Sequence, residues 1–211
     1  MVTPAKDLRG TSISLEQARQ QRVHIPEAYE GDLLELLATK KQIDDRILQM
    51  GRDIASQGHD EIYAVCVLDG AMPFYVQLLF SEPMTEVPVI FKTTKVDSGY
   101  DGGTKAIRQP RILNPDFSEA HGKRVYVIDD IGDTRRSLDI LINAIGVYSP
   151  KSIEVAVLLD KPSRQIADVH LDHVGFTIDD KFVVGRGLDF DQKYRGFKHI
   201  GVLKPEIYLG N

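Results

Sequence analysis

The 211-residue chain has a single cysteine, no excess of basic charge and no long apolar run. Cys66 has no second thiol to pair with, so no internal disulfide holds the fold. It lies in the apolar run Val65-Cys66-Val67-Leu68 and reads as a buried structural thiol in a reducing, cytoplasmic setting. Lys and Arg total 26 against 31 Asp and Glu, a formal net charge of -5. That balance argues against a broad basic face for nucleic acid, although it leaves room for a local basic pocket. No segment reaches the roughly eighteen uninterrupted apolar residues of a membrane span, and Met1-Val2-Thr3-Pro4-Ala5-Lys6-Asp7 lacks an apolar signal core. Neither a membrane nor a nucleic acid is therefore expected as a partner. Internal repeats and low-complexity segments are absent, and neither GxxxxGK[ST] nor GxGxxG stands at a strand end.

What is present is the composition of an ordinary globular chain. At about 150 residues per domain, the length implies one substantial domain with an appendage. A chain of this size buries about 70 % of its unfolded surface without cross-links. Residues 1–31 are polar and mixed and read as an extension, with Arg22-Val23-His24-Ile25-Pro26 as a candidate short strand. From Asp32 onward, Leu33, Leu36, Leu37, Ile43, Ile47, Met50 and Ile54 recur near helical spacing, which predicts one long amphipathic helix stopping at Gly58. The continuous apolar run Ile62 to Leu68, ended by Asp69-Gly70, predicts a central parallel strand, with a helix through Phe74 to Phe80 after it. Further strands are expected at Val87 to Val96, Arg124 to Ile128 and Ser152 to Leu159, with a helix over Thr134 to Val147. Strand, helix and strand in about 35 residues make a βαβ unit and a parallel sheet.

The chemistry is concentrated in Val125-Tyr126-Val127-Ile128-Asp129-Asp130-Ile131-Gly132-Asp133-Thr134-Arg135-Arg136-Ser137-Leu138. An apolar strand delivers two adjacent carboxylates at its carboxyl end, a short loop adds a third, and a helix begins. In open α/β sheets ligands bind at that end. Amides at the helix start, beside the Thr134 and Ser137 hydroxyls, suit a phosphate. Three carboxylates beside a phosphate need hydroxyls or a divalent cation between them, and both sugar hydroxyls and Mg²⁺ meet that need. Any one of these aspartates taken alone reads as a helix cap, and Phe182 taken alone reads as core.

Val127-Ile128-Asp129-Asp130-Ile131-Gly132-Asp133-Thr134 resembles the phosphoribosyl pyrophosphate motif of the type I phosphoribosyltransferases, and from about Asp32 to Leu203 the chain resembles their hypoxanthine/guanine (6-oxopurine) group. Further matches follow in family order: Leu68-Asp69-Gly70, Ser98-Gly99-Tyr100-Asp101-Gly102-Gly103, Leu158-Leu159-Asp160-Lys161, and Lys181-Phe182-Val183-Val184 through Asp189. The resemblance implies an α/β fold with an open, mainly parallel twisted sheet flanked by helices. Residues 1–31 and 166–211 would build a small hood over a 32–165 core. It also implies a cytoplasmic homodimer or homotetramer that transfers 5-phosphoribosyl from phosphoribosyl pyrophosphate to hypoxanthine or guanine, with Mg²⁺ as cofactor.

Carried over residue by residue, the resemblance makes Asp133 the proton acceptor at the purine imidazole ring. Asp129 and Asp130 would hold the ribose hydroxyls directly or through Mg²⁺, and Asp189 would lie near a second Mg²⁺ and the base. The 5′-phosphate would sit among Thr134, Arg135, Arg136 and Ser137. Pyrophosphate would be met by Asp69, Gly70 and Arg195, and by Ser98 and Tyr100 on a closing loop. Lys161 would donate to the 6-oxo group, Phe182 would stack on the ring, and the Val183 backbone would read its edge. The Leu68-Asp69 peptide would be cis.

The chain departs from the family at two places. Arg135 stands where the phosphate loop has glycine, so it either crowds the phosphate or swings a charged fork over it. Gly99 separates the serine and tyrosine that the family keeps adjacent. A nucleotide binder with altered catalysis, or an enzyme acting on another base, therefore stands beside the salvage enzyme as an alternative.

Overall fold

The computed structural model describes residues 2–58, 61–97, 108–113 and 115–209. In chain order the elements are β1 (Lys6–Asp7), β2 (Ile13–Ser14), α1 (Leu15–Gln20), α2 (Glu27–Glu30), β3 (Leu33–Ala38), α3 (Lys40–Ala55), β4 (Ile62–Leu68), α4 (Met72–Leu79), β5 (Val89–Asp97) and β6 (Arg111–Ile112). They continue with β7 (Arg124–Gly132), α5 (Arg136–Gly146), β8 (Ser152–Asp160), β9 (His173–Thr177), β10 (Val183–Val184), β11 (Ile200–Leu203) and α6 (Pro205–Tyr208). Seven strands form the main sheet in the order β1-β9-β8-β7-β4-β5-β6. Every pairing is parallel except β5 with the short edge strand β6.

The central strand β4 is buried on both faces, which is why its sequence is a continuous apolar run rather than an alternation. On α3, Ile43, Ile47, Met50 and Ile54 make one fully buried stripe that joins the same core as β4. Four antiparallel strands in the order β10-β11-β3-β2 form a second sheet, built from segments before residue 39 and after residue 182. It has a separate core around Leu33, Leu36, Val184 and Phe197.

Two local expectations are corrected. The long helix expected from Asp32 is a strand followed by a helix. Thr39 accepts from the Gln42 amide while the Gln42 side chain accepts from Thr39 N–H, and this capping box starts α3 at Lys40. The preceding Leu33–Ala38 run pairs with β11 and β2 instead. Arg22 to Pro26 is not a strand: Arg22 turns the chain in a left-handed conformation (φ 58°), and Pro26 leads into α2.

At the amino end of the main sheet a half-buried polar cluster ties three strands together. Glu154 on β8 accepts from Arg124 on β7 (3.0 Å) and contacts His173 Nε2 on β9 (3.0 Å). Burial pushes the Glu154 carboxyl upward, but the bonds from His173 and Arg124 outweigh it and bring its pKa down to about 2.

Candidate active site

The carboxyl ends of β4, β7 and β8 open into a cavity of about 710 Å³, closed on the other side by residues of the second sheet and its loops. Asp129, Asp130, Asp133, Thr134, Ser137, Lys161, Phe182, Val183 and Asp189 line it, so the structure brings together residues spread over sixty positions of sequence. Strand β7 runs through Asp129 and Asp130 to Gly132, further than the apolar run alone suggests, because β8 pairs with it to the Gly132↔Asp160 position.

Asp129 and Asp130 stand together, with the Asp130 amide donating to Asp129 Oδ1 at 2.9 Å. Burial, and for Asp129 the neighbouring charge of Asp130, hold both carboxyls above the usual carboxylate range. Such a pair accepts hydroxyl donors or a cation readily, because either relieves the cost of two buried charges. Among the described residues, no group of three acidic, histidine or cysteine side chains is placed to ligate one metal ion. A divalent ion here would draw its remaining ligands from a substrate or water, as Mg²⁺ commonly does.

Ser14 with Gln17 and Thr39 with Gln42 form capping boxes on α1 and α3, whereas α2, α4, α5 and α6 have no side-chain cap. Helix α5 starts just after Asp133-Thr134, and its first amides are left as donors for an anion, reinforced by the helix dipole. Helix α4 starts just after Asp69-Gly70, where the Met72 amide bonds the Asp69 carbonyl and Pro73 has no N–H. The α5 loop is held from behind, where the Thr134 carbonyl accepts from the Ile166 and Ala167 amides.

Lys161, only 7 % exposed, faces Asp133 at 3.9 Å and Asp180 at 3.7 Å. Burial lowers its ammonium below the ordinary lysine range, against the pull of both carboxylates. Arg164 also contacts Asp133 (3.1 Å) and Asp180 (3.9 Å), completing a ring of alternating charge. Arg164 and Asp180 were not singled out from the sequence. The signal available was position: Arg164 follows Lys161 by one short turn, and Asp180 stands two residues before Phe182. Tyr208 was missed as well; its ring stacks on Phe182 at 4.6 Å between centroids and lines the cavity.

The Leu68-Asp69 peptide is cis, and Asp69 pairs with Lys95 of β5 at 2.7 Å. Gly70 lies so close to Asp130 that a β-carbon would come within 1.8 Å of its Oδ2. Gly187 (φ +105°) passes the Gly70 carbonyl, where a β-carbon would fall at 1.9 Å, so both the turn and the close approach require glycine. Arg195 donates to the Gly187 carbonyl (2.8 Å) and pairs with Asp189 (2.9 Å), which places it beside the same loop. Ser98 and Tyr100 lie outside the described residues.

Arg135 corrects the expectation of a phosphate clamp. It adopts the left-handed conformation that glycine usually supplies (φ 60°, ψ 6°), and its guanidinium turns back into the protein. There it bonds Asp160 Oδ1 (2.7 Å) and the Val169 carbonyl (2.8 Å), with 9 % of the side chain exposed. The fork is committed to Asp160 and the Val169 carbonyl, while Arg135 itself lines the cavity beside Thr134 and Ser137. Arg136 does not line the cavity.

Known proteins match this arrangement over most of the chain. A bifunctional protein TilS/HprT of Listeria monocytogenes is 34 % identical over 185 residues, and the present chain spans 28 % of its length. The hypoxanthine-guanine phosphoribosyltransferase of Mycobacterium avium is 34 % identical over 86 % of this chain and 91 % of its own. The crystal structure of a hypoxanthine phosphoribosyltransferase from Staphylococcus aureus is 31 % identical and superposes with a TM-score of 0.79, covering 89 % of this chain and all of that one. With the phosphoribosyl transferase domain matched over residues 39–191, a span that holds the acidic strand end, helices α4 and α5 and Lys161, the chain belongs to the phosphoribosyl transferase family.

Proposed function

We propose that the protein is a purine-salvage transferase that moves 5-phosphoribosyl from phosphoribosyl pyrophosphate to hypoxanthine or guanine, giving the nucleoside monophosphate and pyrophosphate. One observation carries the reading: an uncapped helix N-terminus (α5) follows directly on a half-buried Asp129-Asp130 pair and shares its cavity with Lys161, Phe182 and Asp133. A ribose 5-phosphate spans the first two features, and a flat oxo-bearing base fits the third.

Each residue then has a task. The α5 amides with Thr134 and Ser137 hold the 5′-phosphate, and Asp129 and Asp130 accept the ribose hydroxyls. Departure of pyrophosphate builds positive charge at the anomeric carbon, which the two carboxylates stabilise. The amides at Asp69-Gly70 and the Arg195 guanidinium meet the negative charge on the leaving group. Lys161 donates to the 6-oxo group, which favours a 6-oxopurine over a 6-aminopurine. Asp133 takes the proton from the imidazole nitrogen of the base as the new bond forms. Bound Mg²⁺ would add cationic charge to the pyrophosphate, with Asp129, Asp130 and Asp189 as the residues placed to hold it directly or through water. Phe182 offers a ring face to the purine, and the Val183 backbone is placed to read its edge.

The buried Cys66, whose thiol is pushed up to about 12 by burial, suits a reducing cytoplasmic location, and the assembly proposed is a homodimer or homotetramer. Turnover tests the assignment. The protein is incubated with Mg²⁺, phosphoribosyl pyrophosphate and each of hypoxanthine, guanine, xanthine and adenine, and pyrophosphate release is followed. Release with hypoxanthine or guanine and not with adenine is expected. Tight nucleotide binding without turnover on any base would favour a regulatory binder instead.

A further inference from the structure

A second cavity of about 630 Å³ lies between the Gln21–Pro26 turn, the start of α3 and the Gly196–His199 loop, and shares no lining residue with the active-site cavity. In a chain of net charge -5, its lining contains Arg22, Lys40, Lys41 and Lys198 and no Asp or Glu. Lys40 and Lys41 pair with Asp44 and Asp45 one helical turn further on, outside the lining. Arg22 and Lys198 have no carboxylate partner among the described residues, although like charges crowd around them.

The cavity also has a fixed floor and apolar walls. Val23 and Pro26 supply hydrocarbon surface, and the buried Phe197 beneath them belongs to the core of the second sheet. His199 pins the elements together: its Nδ1 accepts from the Lys40 amide (2.8 Å), and its ring bonds the His24 backbone. Arg22 is presented by a left-handed residue (φ 58°), a conformation that a non-glycine residue holds only when its surroundings impose it.

We propose that this cavity is a second anion site that takes a nucleoside polyphosphate, the phosphates meeting Arg22, Lys40, Lys41 and Lys198 and the base lying against Val23 and Pro26. Its volume falls in the range of small-molecule sites. Two cations without a carboxylate partner among the described residues, two more paired only with carboxylates outside the lining, and an apolar wall match a ligand that has both a charged tail and a flat ring.

Calorimetry with Mg²⁺-free ATP and inorganic tripolyphosphate tests the site, using full-length Arg195→Gln protein so that pyrophosphate contacts at the active site are weakened. The comparison is the same protein carrying Arg22→Gly and Lys198→Gln. Glycine accepts the left-handed backbone at position 22, and Lys198 is exposed, so these changes leave the fold in place. ATP is expected to bind more tightly than tripolyphosphate, to lose at least tenfold in affinity in the triple variant, and to weaken further as salt is raised. Equal ATP affinity with and without the Arg22 and Lys198 changes would overturn the site. Tripolyphosphate binding as tightly as ATP would overturn the assignment to a nucleotide.

Discussion

Replacing Arg135 by glycine restores the residue type that the family places in its phosphate loop, and intuition expects a better enzyme. The structure predicts a less stable one with unchanged phosphate affinity. Arg135 and Asp160 form a 2.7 Å ion pair with about a tenth of each side chain exposed. Removing one member of such a pair costs about 3–5 kcal/mol, because the remaining charge is left desolvated and unpaired. The Val169 carbonyl also loses a donor, at about 1 kcal/mol. Against this, glycine relieves a left-handed backbone at φ 60°, a gain of about 1–2 kcal/mol. Partial re-solvation of Asp160 trims the loss further, and the balance is a net destabilisation of about 2–4 kcal/mol. For a chain of this size that lowers the melting temperature by about 5–15 °C. Urea and thermal unfolding measure the loss, and calorimetry with GMP measures the phosphate site, where the affinity should stay within about twofold. Adding Asp160→Asn removes the stranded charge and should recover about half of the lost stability, a coupling that a double-mutant cycle reads directly. A glycine variant as stable as the wild type would refute the pairing argument. A tenfold loss of GMP affinity at unchanged melting temperature would show that the guanidinium serves the phosphate after all.

Three further outcomes are expected. Asp133→Asn should lower turnover by about two to four decades with little change in GMP affinity, read from steady-state rates and calorimetry; a near-normal rate removes Asp133 from proton transfer. Lys161→Gln, which loses a charge-assisted bond worth about 1.5–3 kcal/mol, should reduce kcat/KM for hypoxanthine by about 10- to 150-fold, and an unaffected ratio would place the 6-oxo group elsewhere. Because the folded-state pKa of Glu154 is depressed from 4.5 to about 2, its contribution is present above about pH 4.5 and is lost as pH falls towards 2. That contribution is roughly 3 kcal/mol, so Glu154→Gln should lower the urea midpoint at pH 7 and flatten the acid limb; an acid limb of unchanged steepness would deny the cluster this role.

Periodicity was enough to read the main sheet, because strands buried on both faces announce themselves as apolar runs: Ile62–Leu68 and Ser152–Asp160 appear where the sequence places them. It failed at Leu33–Ala38, where leucines at strand spacing merge into the stripe of the following helix. Only the reciprocal bonds of Thr39 and Gln42 separate the two. Within the site, the residues with a motif were legible, and those brought in by tertiary packing were not. Arg164, Asp180 and Tyr208 reach the cavity from a short turn, a loop and the C-terminal helix, and no spacing rule connects them. The direction of the Arg135 side chain was equally hidden, since its partner Asp160 lies on the neighbouring strand, 25 positions away.

Away from the cavity, helices α1 and α3 carry full capping boxes, and the half-buried Glu154 is paired on both sides. At the cavity three local costs meet. Helix α5 begins without a side-chain cap, two half-buried carboxyls lie side by side, and Arg135 sits in a left-handed turn. Each of these lowers the stability of the empty protein, and under the proposed function a phosphoribosyl ligand supplies what the α5 amides and the carboxyl pair lack, an anion for the amides and hydroxyls or a cation for the carboxyls. The left-handed turn is supported instead by the protein itself, through the Arg135-Asp160 pair. Under the proposed function, Arg135 serves stability and Asp129-Asp130 serve binding, although Asp130 and Arg135 stand only five residues apart. Under the same proposal a chain of net charge -5 holds a ligand rich in phosphate through local donors, the α5 amides with Arg195 and Lys161, and no broad basic surface is required.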